Sequence, residues 1–250
     1  MNLRFSLLIP IVAAATLAAA QTQQATPPGT PAAAPAAEEL PDAPTANVAV
    51  TILPNGPMAV IDTSMGRITC QFYQKQAPNT VANFIALAQG TKDWTDPKTK
   101  KVMRNKPLYN GTTFHRVIPE FMIQGGDPVG DGTGDPGYTF ADEIDPNLNF
   151  DRPGRLAMAN SGPNTNGSQF FVTEQGYDSL NGHYNLFGQC DDASVEVVKA
   201  IARVPRNGDD KPLRPVILQK VTIVPEGQPL PPDPNAAPAQ NPQPAAAPKP

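Results

Sequence analysis

The chain has 250 residues, 31 of them proline, only two cysteines and two histidines, and a formal net charge of −4. That balance excludes a nucleic-acid binder, which needs a basic face, and no run of Lys and Arg marks a membrane-surface patch. Two histidines without cysteine or carboxylate partners at ligand spacing give no zinc site.

The first twenty residues read as a secretory signal, expected to be removed on export to a periplasm or the outside. Arg4 supplies the positive start, Phe5 to Leu17 the apolar stretch, and Ala18-Ala19-Ala20 a small-residue cleavage site. No stable membrane insertion is expected once it is removed. Residues 21–57 form a Pro/Ala-rich linker and 226–250 a matching tail. Neither buries enough apolar surface to offset its ordering entropy, so both are expected to be disordered. The remaining stretch, 58–225, has the size of one domain.

Within it the strand signals are short and numerous. Met58–Asp62 and Arg67–Tyr73 flank a turn at Thr63-Ser64-Met65-Gly66. In the second strand Ile68, Cys70 and Phe72 alternate with Thr69 and Gln71, the period of a half-buried strand. A helix opens at Pro78, carries Val81, Phe84, Ile85 and Ala88 on one face, and ends at Gly90. The lysine-rich loop around Lys98, Lys100 and Lys101 reads as solvated. It lies in the segment Thr91 to Pro107, which holds the only tryptophan, Trp94.

Further strands are expected over Thr113–Val117, Met122–Gly125, Arg155–Met158, Gln169–Thr173, Leu186–Gln189 and Val216–Val224. A second helix runs from about Ala193 to Arg203 and stops before Pro205. Many short strands with two isolated helices point to an antiparallel barrel or sandwich. The glycine-rich loop 125–137 lacks the Lys-Ser/Thr ending of a phosphate loop. Asp127, Asp131 and Asp135 do not match the calcium-loop spacing, so turn chemistry is the reading there. Cys70 and Cys190 lie in strand-like apolar runs. Two cysteines alone do not establish a bridge, and buried free thiols are the expectation. His115, beside Phe114, is expected to be buried with its hydrogen bonding satisfied.

The stretch 112–127 carries the most chemistry. It sets one fixed cation, Arg116, close to an aromatic, Phe121, a flexible apolar side chain, Met122, and a neutral amide, Gln124. The nucleophile elbow of a Ser–His hydrolase is absent. Such equipment grips an apolar group and donates hydrogen bonds beside it, as recognition of proline requires.

Two motifs then decide the reading. Phe-His-Arg-Val-Ile-Pro-Glu-Phe-Met-Ile-Gln-Gly-Gly-Asp spans 114–127, and Met-Ala-Asn-Ser-Gly-Pro-Asn-Thr-Asn-Gly-Ser-Gln-Phe-Phe spans 158–171. Together they resemble cyclophilin, the cyclosporin-binding class of peptidyl-prolyl isomerases, over nearly all of residues 58–224. The resemblance implies an eight-stranded antiparallel β-barrel capped by two α-helices, with the active groove on its outer face. It implies isomerisation of X–Pro bonds in folding proteins, without a cofactor or metal; a monomer is the default expectation.

Position by position, Arg116 matches the catalytic arginine. Phe121, Met122, Phe171 and Leu180 match the apolar pocket for the proline ring. Gln124 and Gln169 match groups that bind the substrate backbone, and Ala159 and Asn160 match the segment whose main chain pairs with the peptide. One region departs from the pattern: Tyr184 stands at the usual pocket histidine, and Ser179 at the tryptophan that favours cyclosporin. A groove that holds Pro segments without turnover is the alternative reading.

Overall fold

The computed structural model describes residues 51–236. The expected signal, most of the linker and the end of the tail lie outside the described residues. Eleven strands, two α-helices and one short 3-10 turn follow in chain order. The first hairpin joins β1 (Met58–Thr63) to β2 (Gly66–Phe72). Thr63 secures its turn: the hydroxyl donates to Gly66 O at 2.6 Å and accepts from Met65 N at 3.0 Å. The predicted inward face is fully buried at Ile68, Cys70 and Phe72.

Helix α1 (Pro78–Gln89) starts on Pro78 and ends where Gly90 takes a left-handed φ of 76°, the stop that glycine permits without steric cost. Its first turn is capped from a distance. Glu143 accepts from Asn79 N at 3.1 Å and from Thr80 N at 2.8 Å, placing a carboxylate at the positive end of the helix. Phe84 projects from α1 into the core. Its ring lies 5.6 Å from Phe72, 4.7 Å from Tyr109, 5.5 Å from Phe170 and 5.4 Å from Phe187.

The segment Thr91 to Pro107 folds as a separate small hairpin, β3 (Trp94–Thr95) with β4 (Val102–Met103). Trp94 Nε1 donates to Lys106 O at 2.9 Å. Next come β5 (Thr113–Phe114), β6 (Arg116–Ile118), β7 (Met122–Gly125), β8 (Arg155–Met158), β9 (Phe170–Thr173), β10 (Leu186–Cys190), α2 (Asp192–Ala202) and β11 (Val216–Val224). The sheet order is β5-β11-β1-β2-β10-β8-β9-β7-β6. Helix α2 is capped by Asp191, which accepts from Ser194 N. It is pinned to β2 where Thr69 N donates to Ser194 Oγ at 2.7 Å.

The sheet has nine strands rather than eight because Thr113–Val117 divides at His115. Phe114 pairs with Val216 on one side, and Arg116 pairs with Gln124 on the other. The two edges of the sheet are therefore consecutive pieces of one segment. His115 N donates to Gln124 O at 3.0 Å across the division. This segment is the seam that nearly closes the barrel.

Two further expectations are corrected. Cys70 and Cys190 are both buried, as anticipated, but they are bonded rather than free, with sulfurs 2.01 Å apart. They are register partners on β2 and β10, brought together across 120 residues, a pairing that no local pattern announces. His115 is buried, yet neither ring nitrogen has a hydrogen-bond partner among the described residues. It sits where the segment changes sheet partner, and burial holds its pKa below the usual histidine value, with nearby Asp127 opposing that shift.

The domain's ordered contacts also extend past both expected boundaries. Asn55 N and Gly56 N donate to Phe72 O at 2.9 and 3.1 Å. The Arg67 guanidinium, held by Asp62, donates to the carbonyls of Pro231 and Pro232 at 2.6 and 2.8 Å. Proline lacks an N–H but keeps its carbonyl, so a cation can order even a Pro-rich segment.

Candidate active site

Three separated segments converge on one cavity of about 200 Å³, lined by Arg116, Phe121, Met122, Gln124, Ala159, Asn160, Phe171, Leu180 and Tyr184. The strand period explains the first group. On β6 and β7 alternate side chains face outward, so Arg116 and Gln124, directly paired across the ladder, emerge on the same side. Val117 and Ile123, one position along, turn into the core. Arg116 is exposed at the rim.

The cavity floor is apolar. Met122, Phe171 and Leu180 are buried there, with Phe150 and Leu148 behind them. Phe171 stacks on Phe150 at 5.9 Å and meets Tyr184 edge-to-face at 5.3 Å. Tyr184 thus supplies a ring wall at the position the sequence marked as divergent. Leu180 comes from a single 3-10 turn, Asp178–Leu180. Ser179, on the same turn, is exposed and faces the adjoining groove that Tyr184 also lines.

Asn160 bridges the second and third segments, its Nδ2 donating to His183 O at 2.9 Å. Ala159 N donates to Gln169 O at 2.9 Å, which sets the backbone of the 159–160 stretch beside the cavity.

Gln169 is the one expected site residue outside this cavity. It lines a neighbouring cavity of about 350 Å³ that shares Gln124, Ala159 and Asn160 with the first. Its Oε1 accepts from Gln124 Nε2 at 2.9 Å, and its Nε2 donates to Gly132 O and Gly134 O at 3.0 and 2.8 Å.

That second cavity brings in residues the sequence reading treated only as turn. Gly132, Thr133, Gly134 and Asp135 form its wall. The aspartates do close turns: Asp127 accepts from Val129, Asp131 and Gly132 N–H groups, and Asp135 from Gly137 N. A Cβ at Gly134 would come within 1.9 Å of Asp127 Oδ1, so the loop requires glycine there. Nothing local in the sequence reveals that this loop abuts Gln169, which lies 35 residues away from Gly134.

The comparison with known proteins follows this geometry. Residues 58–223 match the family model described as "Cyclophilin type peptidyl-prolyl cis-trans isomerase/CLD". The chain belongs to the cyclophilins. It is 49% identical over 166 residues to the peptidyl-prolyl cis-trans isomerase A of Mycobacterium tuberculosis, a match that covers 66% of this chain and 91% of that protein. It is 48% identical over 167 residues to isomerase B of Streptomyces anulatus, covering 66% of this chain and 95% of that one.

Among solved structures, a cyclophilin type isomerase of Cryptosporidium parvum aligns with a TM-score of 0.59 at 35% identity. The alignment covers 70% of this chain and all 100% of that one. A second structure of that protein, in the presence of the dipeptide Ala-Pro, aligns with a TM-score of 0.57. This cyclophilin is therefore a peptidyl-prolyl cis-trans isomerase with the barrel and helices of its family.

Proposed function

We propose that the cavity formed by Phe121, Met122, Phe171, Leu180 and Tyr184 receives the substrate proline ring, and that Arg116 lowers the rotation barrier. The observation that carries this reading is the convergence of three distant segments on one small apolar cavity with a single guanidinium at its rim. The Ala-Pro dipeptide present with the Cryptosporidium relative supports proline-containing peptides as the ligand class.

Rotation about an X–Pro bond faces a barrier of roughly 18–20 kcal/mol, because resonance makes the C–N bond partly double. Cis and trans differ by only about 0.5–1 kcal/mol, so the enzyme has only to speed an exchange that is already balanced. In the twisted transition state resonance is lost and the proline nitrogen becomes pyramidal and more basic. A donor aimed at that nitrogen binds the twisted state better than the planar one, and such differential binding is what lowers a barrier.

Arg116 suits the task because it is always charged and holds its donors in a rigid fork. The apolar floor anchors the ring and keeps out water, which favours the polar planar amide. Gln124 and Gln169 offer amide groups to the substrate backbone, and the 159–160 main chain offers an edge for the peptide. Each 1.36 kcal/mol gained is about tenfold in rate.

The proposed setting is the folding of exported proteins. The signal-like residues 1–20 support it, as does the Cys70–Cys190 bridge, since disulfides persist in oxidising compartments.

The test is Arg116→Ala, with cis–trans exchange in a short Pro peptide followed by NMR. A loss of roughly a hundredfold with the fold intact is expected, the scale of removing one transition-state donor. Unchanged exchange rates would remove Arg116 from this role.

A further inference from the structure

Phe121 sits beside a backbone irregularity that the pocket itself does not explain. Glu120, the residue before it, has φ 63°. That left-handed conformation is disfavoured for any residue with a Cβ, and it persists only where the surroundings enforce it. Two residues from the segment that follows β9 do the enforcing.

Glu174 grips the turn twice. Its backbone N–H donates to Phe121 O at 2.8 Å, and its carboxylate Oε2 accepts from Glu120 N at 2.8 Å. The other carboxylate oxygen, Oε1, is held by Arg203 Nη1 at 2.6 Å, from the residue that ends α2. Glu174 is only 5% exposed, so its carboxylate is fixed in place, with both oxygens engaged. Tyr177 closes the other side. Its hydroxyl donates to Glu120 O and accepts from Gln175 Nε2 at 3.0 Å. Its ring meets Phe121 edge-to-face at 4.8 Å.

Both polar groups of Glu120's backbone are thus bound by side chains that never touch the cavity. Neither Glu174 nor Tyr177 lines it. We infer that Glu174 and Tyr177 are positioning residues, which set the Phe121 ring as a wall of the proline cavity by clamping the Glu120 turn. The inference rests on the reading of that cavity given above. It assigns the clamp to the acceptor oxygen of Glu174 and the hydroxyl of Tyr177; the Arg203 pair serves to orient the carboxylate.

The test uses the purified full chain and three variants: Glu174→Ala, Glu174→Gln and Tyr177→Phe. Three quantities are read: affinity for an Ala-Pro peptide by NMR titration, exchange rate at saturating peptide, and the Phe121 ring proton shifts without peptide.

Glu174→Ala frees Glu120 N, and the expected result is a roughly tenfold loss of affinity, a smaller loss of saturated rate, and moved Phe121 signals. Glu174→Gln keeps one acceptor oxygen for Glu120 N and turns a donor NH2 toward Arg203, so it loses the ion pair but not the clamp and should stay within about twofold of the parent. Such rescue would not follow if the role were the ion pair alone. Equal damage in both variants, or a folded Glu174→Ala protein with parental affinity and ring shifts, overturns the inference. If Glu174→Ala does not fold, Tyr177→Phe decides: it keeps the ring and removes only the hydroxyl, and unmoved Phe121 signals count against the clamp. A parent protein without isomerase activity would overturn the functional reading instead, while the ring shifts would still report on the turn.

Discussion

Gln124 and Gln169 are joined side chain to side chain at 2.9 Å, and this one bond stitches the two halves of the site together. Gln124 rides on β7, beside Arg116. Gln169 leads into β9 and in turn holds the 132–134 loop. The pair forms a polar crosslink between the two adjoining cavities.

Removing the crosslink should therefore affect recognition more than stability. Gln169→Ala is expected to lower kcat/KM by about tenfold, since both the proposed substrate amide contact and the loop anchor go. Its half-exposed side chain limits the stability loss to about 1 kcal/mol. Exchange assays beside urea midpoints check both; a parental kcat/KM would show that the loop holds its place without Gln169.

Ser179 invites the opposite experiment, a gain. It is exposed on the turn that delivers Leu180 and faces the groove shared with Tyr184. Ser179→Trp restores a large, rigid ring at that rim. Cyclosporin binding should tighten at least about tenfold, while Ala-Pro exchange stays within about twofold. Calorimetric titration of both proteins reads the difference.

The site was legible in the sequence where it depended on contiguous side chains. Arg116, Phe121, Met122 and Gln124 lie within nine positions of one another, and the strand period alone predicts which of them emerge together. The helix ends were legible too, because Pro78 and Gly90 act locally. What stayed hidden depended on distant register. The Cys70–Cys190 bond follows from which strands pair, not from the residues around either sulfur. The split at His115 follows from a change of partner strand, and nothing in the run Thr113–Val117 marks it. The wall at Gly132–Asp135 is a turn by composition and becomes part of a cavity only once β9 lies beside it.

The Cys70–Cys190 bond closes a long loop, with a sequence separation of 120, and so restricts the unfolded chain strongly. Replacing both cysteines with alanine should cost roughly 2–4 kcal/mol of stability, seen as a lower urea midpoint. Isomerase activity under native conditions should be unchanged, since neither sulfur borders the cavity. Equal midpoints for the bonded and alanine forms would show that the bridge is energetically idle.

His115 predicts a pH dependence whose sign is fixed. Burial, opposed by Asp127 and Asp131 and aided by Lys211 and Arg116, holds its folded pKa below the usual 6.5. The unfolded chain then binds a proton that the fold does not. Stability is fully present above pH 6.5 and falls as the pH drops toward the depressed folded value, by at most about 1.4 kcal/mol per unit. Urea midpoints between pH 7.5 and 5 should slope less in His115→Phe than in the parent. Parallel slopes would assign the dependence to other groups.

The seam at His115 also bears on how copies of this enzyme help one another. Arg116 and Gln124 meet only when β6 and β7 pair, and β5, one residue earlier, must find β11 to close the sheet. A chain whose barrel is still open has no assembled catalytic groove. Its own groove cannot speed the rotation of its prolines on the way to the native state, so that rotation runs at the slow uncatalysed rate unless a finished molecule acts on the chain. Any refolding phase limited by proline rotation should therefore quicken with the concentration of finished enzyme.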